Sequence, residues 1–471
     1  MFTYRVINSS ISYIEEDGKN IMCRKNKLFD GDIVKDDIII KSKNREIIHV
    51  GLLNTYKSTI FGKNKKGSTI YIVEPLKHNL PKFLVAYNGK IKGKLIVRFK
   101  FINWNKKLPT GILVNIIGLL DKINMDKLLL YHHNINTKKI IFDTKVNNNE
   151  KKIVRKDLTD IPFISIDPKG STDIDDAIYI NNNMVYITIA QPIVYLNKKI
   201  IEEMAKTKFS TIYNSNNIHL FGEKVTELSS LVENKLRYSY TVVFKDGMLH
   251  EHYPSVVMIR KNYSYDYVNT NMKKYIDGFE DAQSMISHYM ILTNLAIGNI
   301  MKNKNMIYRI TKGNSMNAIY TFDDTINYHS NLDKSYYLHF TSPIRRLVDN
   351  IIHMKITYNI DINNDIDIMN EISTSISRFH RNLELDKNIS NIVEDIEYDA
   401  KLIEIRDYSW YIYIDNIGYI TYNIIPKILT SLTSIPKLKI GSTFKVKLYK
   451  RKGILPKNKL IIVSKYDLFK N

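Results

Sequence analysis

The sequence predicts a multidomain α+β protein, with small β-barrels at both ends and an α/β domain between them. Three observations carry that reading. Residues 1–150 read as short β segments divided by turns, the middle mixes strands with helical periodicity, and the end returns to β patterning. A length of 471 residues accommodates about two to four domains of roughly 100–200 residues each. Hydrophobic residues at 44% and charged residues at 25% are ordinary globular values, which argues against a disordered tail or a fibre.

The elements follow in chain order. The segment Lys90–Phe101 largely alternates, with Ile91, Leu95, Val97, Phe99 and Phe101 on one face and Lys90, Lys92, Lys94, Arg98 and Lys100 on the other. Such alternation predicts a half-buried strand whose wet face is cationic. Turns at Asp30-Gly31-Asp32 and Asn88-Gly89 punctuate strands at a density that suits small barrels of the oligonucleotide-binding type. In the middle, Ile200–Lys208 and Ala282–Met301 read as helices, and Pro343–Met354 reads as a helix opened by Ser342-Pro343, a cap followed by proline at the first helical position. At the end, Lys401–Arg406, Ser409–Ile414, Gly418–Tyr422 and Phe444–Leu448 read as strands. They carry Trp410, Tyr411, Tyr413, Tyr419 and Tyr422, and a basic track through Lys450, Arg451 and Lys452 follows. Aromatics beside a basic track suit single-stranded nucleic acid, although strand alternation commits about half of those rings to the core.

Composition narrows the partners. Lys+Arg exceed Asp+Glu by 69 − 48 = 21, a charge that favours a polyanionic partner. No stretch approaches the roughly 18 consecutive apolar residues of a membrane span, and the start lacks the build of a signal peptide. Cys23 is the one cysteine, so neither an internal disulfide nor a cysteine-rich zinc site can form. A reducing, cytoplasmic setting and a monomer without membrane contact are the expectations.

Two motifs carry chemistry. The first is Asp167-Pro-Lys-Gly-Ser-Thr-Asp173-Ile-Asp175-Asp176, four carboxylates within ten residues of a strongly basic chain. Brought together they repel one another and take up protons unless a cation neutralises them. Hard oxygen ligands suit Mg²⁺, and two such ions can activate water and steady a leaving oxygen in phosphodiester hydrolysis. A solvated acidic turn is the bland alternative; a calcium loop of EF-hand order is not matched. The second motif is His339-Phe-Thr-Ser-Pro-Ile-Arg345-Arg346, followed by Asp349 and His353. Arginines placed in the first turn of the proposed helix suit phosphate contact and transition-state charge. His353 reads more readily as a core or surface histidine than as a catalytic one.

The two motifs together, in this order, resemble the ribonuclease II/ribonuclease R family, the RNB exoribonucleases. Weaker similarity in Ile189-Ala-Gln-Pro, Lys208–Tyr213, Met290–Asn294 and Trp104…Leu108-Pro-Thr-Gly111 extends the resemblance over nearly the whole chain. It implies cold-shock-like barrels over 1–55 and 56–125, an RNB catalytic domain over 126–395 and an S1-like barrel over 396–471. It further implies a Mg²⁺-dependent 3′-to-5′ exoribonuclease that releases nucleoside 5′-monophosphates from single-stranded RNA, using two Mg²⁺ ions for which Mn²⁺ can substitute. On that resemblance Asp167, Asp175 and Asp176 hold metal, Asp173 completes the cluster, and Arg345 stabilises the scissile phosphate. Tyr213 stacks on the terminal base, Tyr265 lies near the second nucleotide, and Arg346, Lys450, Arg451 and Lys452 contact RNA.

The departures are equally specific. Gln191 stands where the family carries Asp, and Ser287 and His288 replace a pair of glutamates, the first of which helps recognise the ribose. The stretch between Tyr265 and Met290 is short, with no counterpart for an aromatic that clamps the terminal bases. Weaker clamping and relaxed sugar selectivity follow as expectations. A non-catalytic RNA-binding relative and a nuclease tolerant of DNA are the alternatives.

Overall fold

The structure is a computed structural model that describes residues 1–6, 12–17, 19–23, 25, 27–56, 60–311, 318–323, 325, 327–406, 409–423 and 438–464. It divides into two compact units, Met1–Ile135 with Arg378–Asn471, and Asn136–Ser377.

The first unit holds three small sheets of the kind the alternating segments predict. The N-terminal one runs in the order Lys19–Met22, Ser12–Glu16, Phe2–Val6, Ile33–Lys35, Ile38–Lys41, with every pairing antiparallel. Its Asp30-Gly31-Asp32 turn places Gly31 at φ +80°, where a side chain would be strained. The buried Asp32 carboxylate there accepts from the Phe29 amide at 2.9 Å and from Arg45 at 3.1 Å.

The second sheet runs Ile48–Asn54, Lys94–Asn103, Thr110–Leu119, Phe83–Ala86, Thr69–Pro75, Ile60–Lys63. Ile48–Asn54 also pairs with Thr69–Pro75, which closes five of these strands into a ring around Leu53, Val73, Phe83, Val97 and Phe99. The strand predicted over Lys90–Phe101 begins instead at Lys94. Gly93, at φ +126° with its amide bonded to Thr55 at 2.7 Å, breaks the extended chain and leaves Ile91 exposed. A register shift between Ile96 and Val97 then buries Leu95, Ile96 and Val97 in succession. Arg98, between the buried Val97 and Phe99, is half-buried, with its guanidinium 4.4 Å over the Tyr131 ring.

The third sheet runs Gly418–Asn423, Ser409–Ile414, Glu397–Arg406, Thr443–Lys450, Leu460–Ser464. Its core takes Trp410, Tyr422 and Phe444, while Tyr413 and Tyr419 are half-buried and pack with centroids 4.8 Å apart. The alternation thus divides the aromatics as expected.

The second unit is a seven-stranded mixed sheet with helices. Its order is Lys156–Asp157, Met248–Met258, Leu236–Lys245, Met184–Ala190, Asp176–Asn181, Ile164–Asp167, Lys261–Ser264. Successive side chains of Asp176–Asn181 point to opposite faces. Ile178 joins Ile187, Ile189 and Tyr240 under the helix Ala282–Ile300, whereas Ala177 joins Phe163, Val257 and Ile344 on the other side. That helix is opened by a reciprocal cap, in which the Asp281 side chain accepts from the Ser284 amide at 2.7 Å and Ser284 Oγ accepts from the Asp281 amide at 3.0 Å. Its Gly298 rests on the Tyr336 carbonyl, and a Cβ there would come within 1.8 Å of that oxygen.

The helix expected from Pro343 begins only at Leu347 and runs to Tyr358. Residues 343–345 form a turn, and Arg346 is extended at φ −130°, ψ 132°. Non-local pairing accounts for the difference: Arg346 bridges to Ser210, the Leu347 amide donates to Phe209 O at 2.8 Å, and the Thr211 amide donates to Arg345 O at 2.9 Å. Among the described residues no helix is long and apolar enough to cross a membrane.

Candidate active site

Local structure brings the acidic motif together as a folded-back loop. Asp167 ends the strand Ile164–Asp167, and the Ser171 amide closes a tight turn onto Pro168 O at 3.1 Å, with Gly170 at φ +85°. Ile174 is buried and its amide donates to Ser230 Oγ at 2.9 Å, which anchors the return of the loop. Asp175 and Asp176 then lead into the Asp176–Asn181 strand, where the Ala190 amide donates to Asp175 O at 2.8 Å.

The arginine motif faces this loop. The Asp175 carboxylate, 3% exposed, accepts from the Ile344 amide at 2.7 Å and from Arg345 Nε at 3.1 Å. Arg345 also donates to Ser342 Oγ at 3.0 Å. Arg346 donates to the fully buried Asp349 at 2.8 Å, and the same Asp349 oxygen accepts from the Ser342 amide at 2.8 Å. The bridge between Ser210 and Arg346 lays the 208–213 segment along the turn and delivers Tyr213, whose hydroxyl donates to Asp173. Tyr265 arrives from the other side. Strand Lys261–Ser264 pairs in parallel with Ile164–Asp167, Ser264 stands opposite Asp167, and Tyr265 is the next residue.

Asp167, Asp173, Asp175, Asp176, Tyr213, Tyr265, Arg345 and Arg346 therefore line one cavity of about 570 Å³. Its far wall is the helix Ala282–Ile300, which contributes Gln283, Ser287, Met290 and Asn294, together with Tyr337. The three basic residues Lys450, Arg451 and Lys452 belong to the first unit. There Lys450 Nζ donates to Ser390 O at 3.1 Å and Arg451 Nε to Asn458 O at 2.8 Å, while Lys452 is exposed.

Burial sets the electrostatics of the cavity. It raises the Asp167 carboxyl to about 6 and the Asp175 carboxyl to about 7. Asp176 is pushed well above the carboxylate range by burial, with the Asp167 and Asp175 charges adding to it. Burial, with Asp176 and Asp167 beside it, likewise lifts the Tyr265 phenol to about 12. Among the described residues that line the cavity, Asp167 Oδ2 and Arg346 Nε are buried and make no hydrogen bond. Among the described residues, no three His, Cys, Asp or Glu side chains stand ready to hold a metal ion, and Asp175 is engaged by Ile344 and Arg345. The donor set nevertheless fits a hard cation, because crowded carboxylates and an orphaned carboxylate oxygen are what such an ion would satisfy.

Sequence reasoning missed several residues that shape the site. Gln191 is buried beneath it and bonded to Arg155, His353 and Thr357. Asn294 accepts from the Phe340 amide at 2.8 Å and donates to Tyr337 Oη at 3.1 Å, fixing the chain just before the arginine turn. The signals were adjacency of Tyr337 to the arginine motif and, for Gln191, a mismatch that looked like a loss. His353 proves to be a core histidine, stacked on Phe340 at 3.9 Å and 3°.

A mixed sheet that presents clustered aspartates to an arginine pair, in a chain that also carries small oligonucleotide-binding-like sheets, is the arrangement that the resemblance to the RNB exoribonucleases implies. Comparison with known proteins agrees. Residues 155–279 match the RNB domain family. Ribonuclease R of Mycoplasma genitalium is 33% identical over 146 residues, 28% of this chain and 19% of that protein. Ribonuclease R of Ureaplasma parvum is 29% identical over 265 residues, 50% of this chain and 35% of that protein. The aligned stretches thus cover about a third or less of those relatives' own lengths. In structure, the apo form of Mycoplasma genitalium RNase R superposes with a TM-score of 0.73 at 18% identity, over 98% of this chain and 100% of that one. The same enzyme in complex with ribose-methylated single-stranded RNA gives 0.72 at 17% identity, over 98% of this chain and 100% of that one. Yeast Ssd1, described as a pseudonuclease, gives 0.63 at 12%, over 89% of this chain and 78% of that one. Residues 155–279 thus carry an RNB domain, and the aligned stretches of the chain are similar to ribonuclease R.

Proposed function

We propose that the chain is a hydrolytic 3′-to-5′ exoribonuclease that degrades single-stranded RNA to nucleoside 5′-monophosphates with Mg²⁺ held by Asp167, Asp175 and Asp176. The observation that carries this reading is the set of raised, crowded carboxylates facing Arg345 across one cavity. A pair of Mg²⁺ ions, with Mn²⁺ as a substitute, supplies an activated water and charge neutralisation at the leaving oxygen. The residues of the chain perform the rest. Arg345 presents a forked donor to the scissile phosphate, with Ser342 fixing its orientation. Tyr213 is held by Asp173 so that its ring faces the cavity as a base-stacking surface, and Tyr265 offers a second ring beside Asp167. Lys452 and its neighbours in the C-terminal sheet add sequence-independent affinity for the strand. The three small sheets of the first unit act as the two cold-shock-like barrels and the S1-like barrel that hold single-stranded RNA.

One observation favours a second reading, a binding-only relative: Asp175 is already satisfied by Ile344 and Arg345. A time course on 5′-labelled single-stranded RNA with Mg²⁺ separates the two. A ladder that shrinks from the 3′ end with wild type, and not with Asp176→Asn, is the expected result. Full-length RNA in both lanes with binding retained would replace the nuclease by the binding protein. Matched DNA oligonucleotides tested alongside read out the sugar selectivity that Ser287, on the far cavity wall, leaves without a carboxylate.

A further inference from the structure

The buried polar groups beneath the cavity are arranged as a single directed chain. Arg155 Nη1 can only donate, and it donates to Gln191 Oε1 at 2.7 Å. This fixes the orientation of the Gln191 amide, so that Nε2 donates to Thr357 Oγ1 at 2.9 Å and to His353 Nδ1 at 3.1 Å. His353 Nδ1 is therefore an acceptor, and the proton of the neutral ring sits on Nε2, 2.9 Å from Phe340 O, which can only accept. Gln191 is 1% exposed and His353 fully buried, so the links lie inside the core. The last link matters because the turn bearing Arg345 starts three residues after Phe340. The Phe340 ring is clamped by His353 at 3.9 Å and its amide by Asn294 at 2.8 Å, so the carbonyl is the remaining handle on that peptide.

The start of the chain also touches the acidic side. Gln191 directly follows Ala190, whose amide holds the Asp175 carbonyl. One glutamine thus ties the strand that registers Asp175 to the helix residue that registers the Arg345 turn. Resting on the nuclease reading above, we propose that Gln191 and His353 are positioning residues that set the distance between the aspartate loop and Arg345 by fixing the tautomer of His353 and, through it, the Phe340 carbonyl. A carboxylate at position 191 would offer His353 only acceptors, and the Nδ1 proton it demands would require a charged ring or leave the Phe340 carbonyl without a donor. The glutamine that reads in sequence as a lost acid is thereby the residue that permits a neutral histidine.

Three variants test this. Gln191→Met keeps volume and removes the amide, His353→Phe keeps the stack on Phe340 and removes the donor, and Thr357→Val removes the other bond of the same amide without touching His353. Turnover of a short single-stranded oligoribonucleotide should fall on the order of 10- to 100-fold in the first two with KM within about twofold, since small misplacements of reacting groups act on rate. The double variant should be no slower than either single one, because both cut the same chain. Thr357→Val should keep wild-type turnover. Amide hydrogen exchange at Ser342 and Ile344 should quicken in Gln191→Met and His353→Phe only. Equal losses in all three variants, a KM effect without a rate effect, or unchanged exchange would overturn the proposal. If wild type releases no product, the nuclease reading fails, and the exchange measurement alone decides the positioning role.

Discussion

Two groups of buried charge lie in the same unit and are treated in opposite ways. Arg155 and Glu150, 5% and 8% exposed, form a bidentate pair, and Arg155 further donates to Gln191, to Ser239 O at 2.9 Å and to Ser255 O at 3.2 Å. Tyr358 completes the Glu150 carboxylate at 2.7 Å. The aspartate loop has no such completion: Asp167 Oδ2 is buried without a partner, and the Asp167, Asp175 and Asp176 carboxyls are all raised. The fold thus can satisfy a buried charge fully where only architecture is at stake. In the aspartate loop it does not, and an unpartnered oxygen among raised carboxyls is where a cationic ligand would be accommodated.

The contrast breaks most decisively at Asp176. Asp176→Asn should lower turnover at least about 10²- to 10³-fold while leaving stability equal or higher, because it removes an uncompensated charge; a stability loss in thermal melts would place Asp176 in the scaffold. Glu150→Gln should do the reverse, costing about 3–5 kcal/mol in urea unfolding, since it leaves the Arg155 charge uncompensated. A loss under about 1 kcal/mol would mean that the neutral acceptors alone hold Arg155. Arg345→Lys keeps the charge and loses the fork, so turnover should drop about 10- to 100-fold with binding nearly unchanged. Equal loss of affinity would make Arg345 a tether. The pH dependence is subtler. Asp167 holds its proton more tightly folded than unfolded, so between 3.8 and about 6 the cation-free protein should lose stability relative to Asp167→Asn as pH rises. A difference between the two that stays flat across that window would mean the carboxyl is not raised. Smallest is the basic track: with Lys450 and Arg451 tied to carbonyls, neutralising all three should flatten the salt slope of RNA binding by about 0.7, one contact, rather than two.

Much of the site was legible because its residues are close in sequence. Four aspartates spaced across a Pro-Lys-Gly-Ser-Thr loop converge with little help from the rest of the chain, and the helix Ala282–Ile300 shows its own cap. The arginine turn was not legible, since Ser342-Pro343 is a sound helix start and only pairing with Phe209, Ser210 and Thr211 withholds it. The Lys90 strand fails for a similar reason: alternation carried on through Gly93, and a backbone at positive φ stops the ladder there. Gln191 was legible only as a mismatch, because its partners lie 36, 162 and 166 residues away.

Gly298 sets a gauge for all of this. A helical glycine forgoes about 1 kcal/mol relative to alanine, and here the missing methyl lets the helix Ala282–Ile300 seat directly on the Tyr336 carbonyl. The same helix is the far wall of the cavity. Any side chain at this position acts as a shim, lifting the wall that faces the aspartates while every residue lining the cavity keeps its identity. The width available to a nucleotide is thus encoded at a site that no nucleotide touches, where a single methyl group could retune which substrates fit.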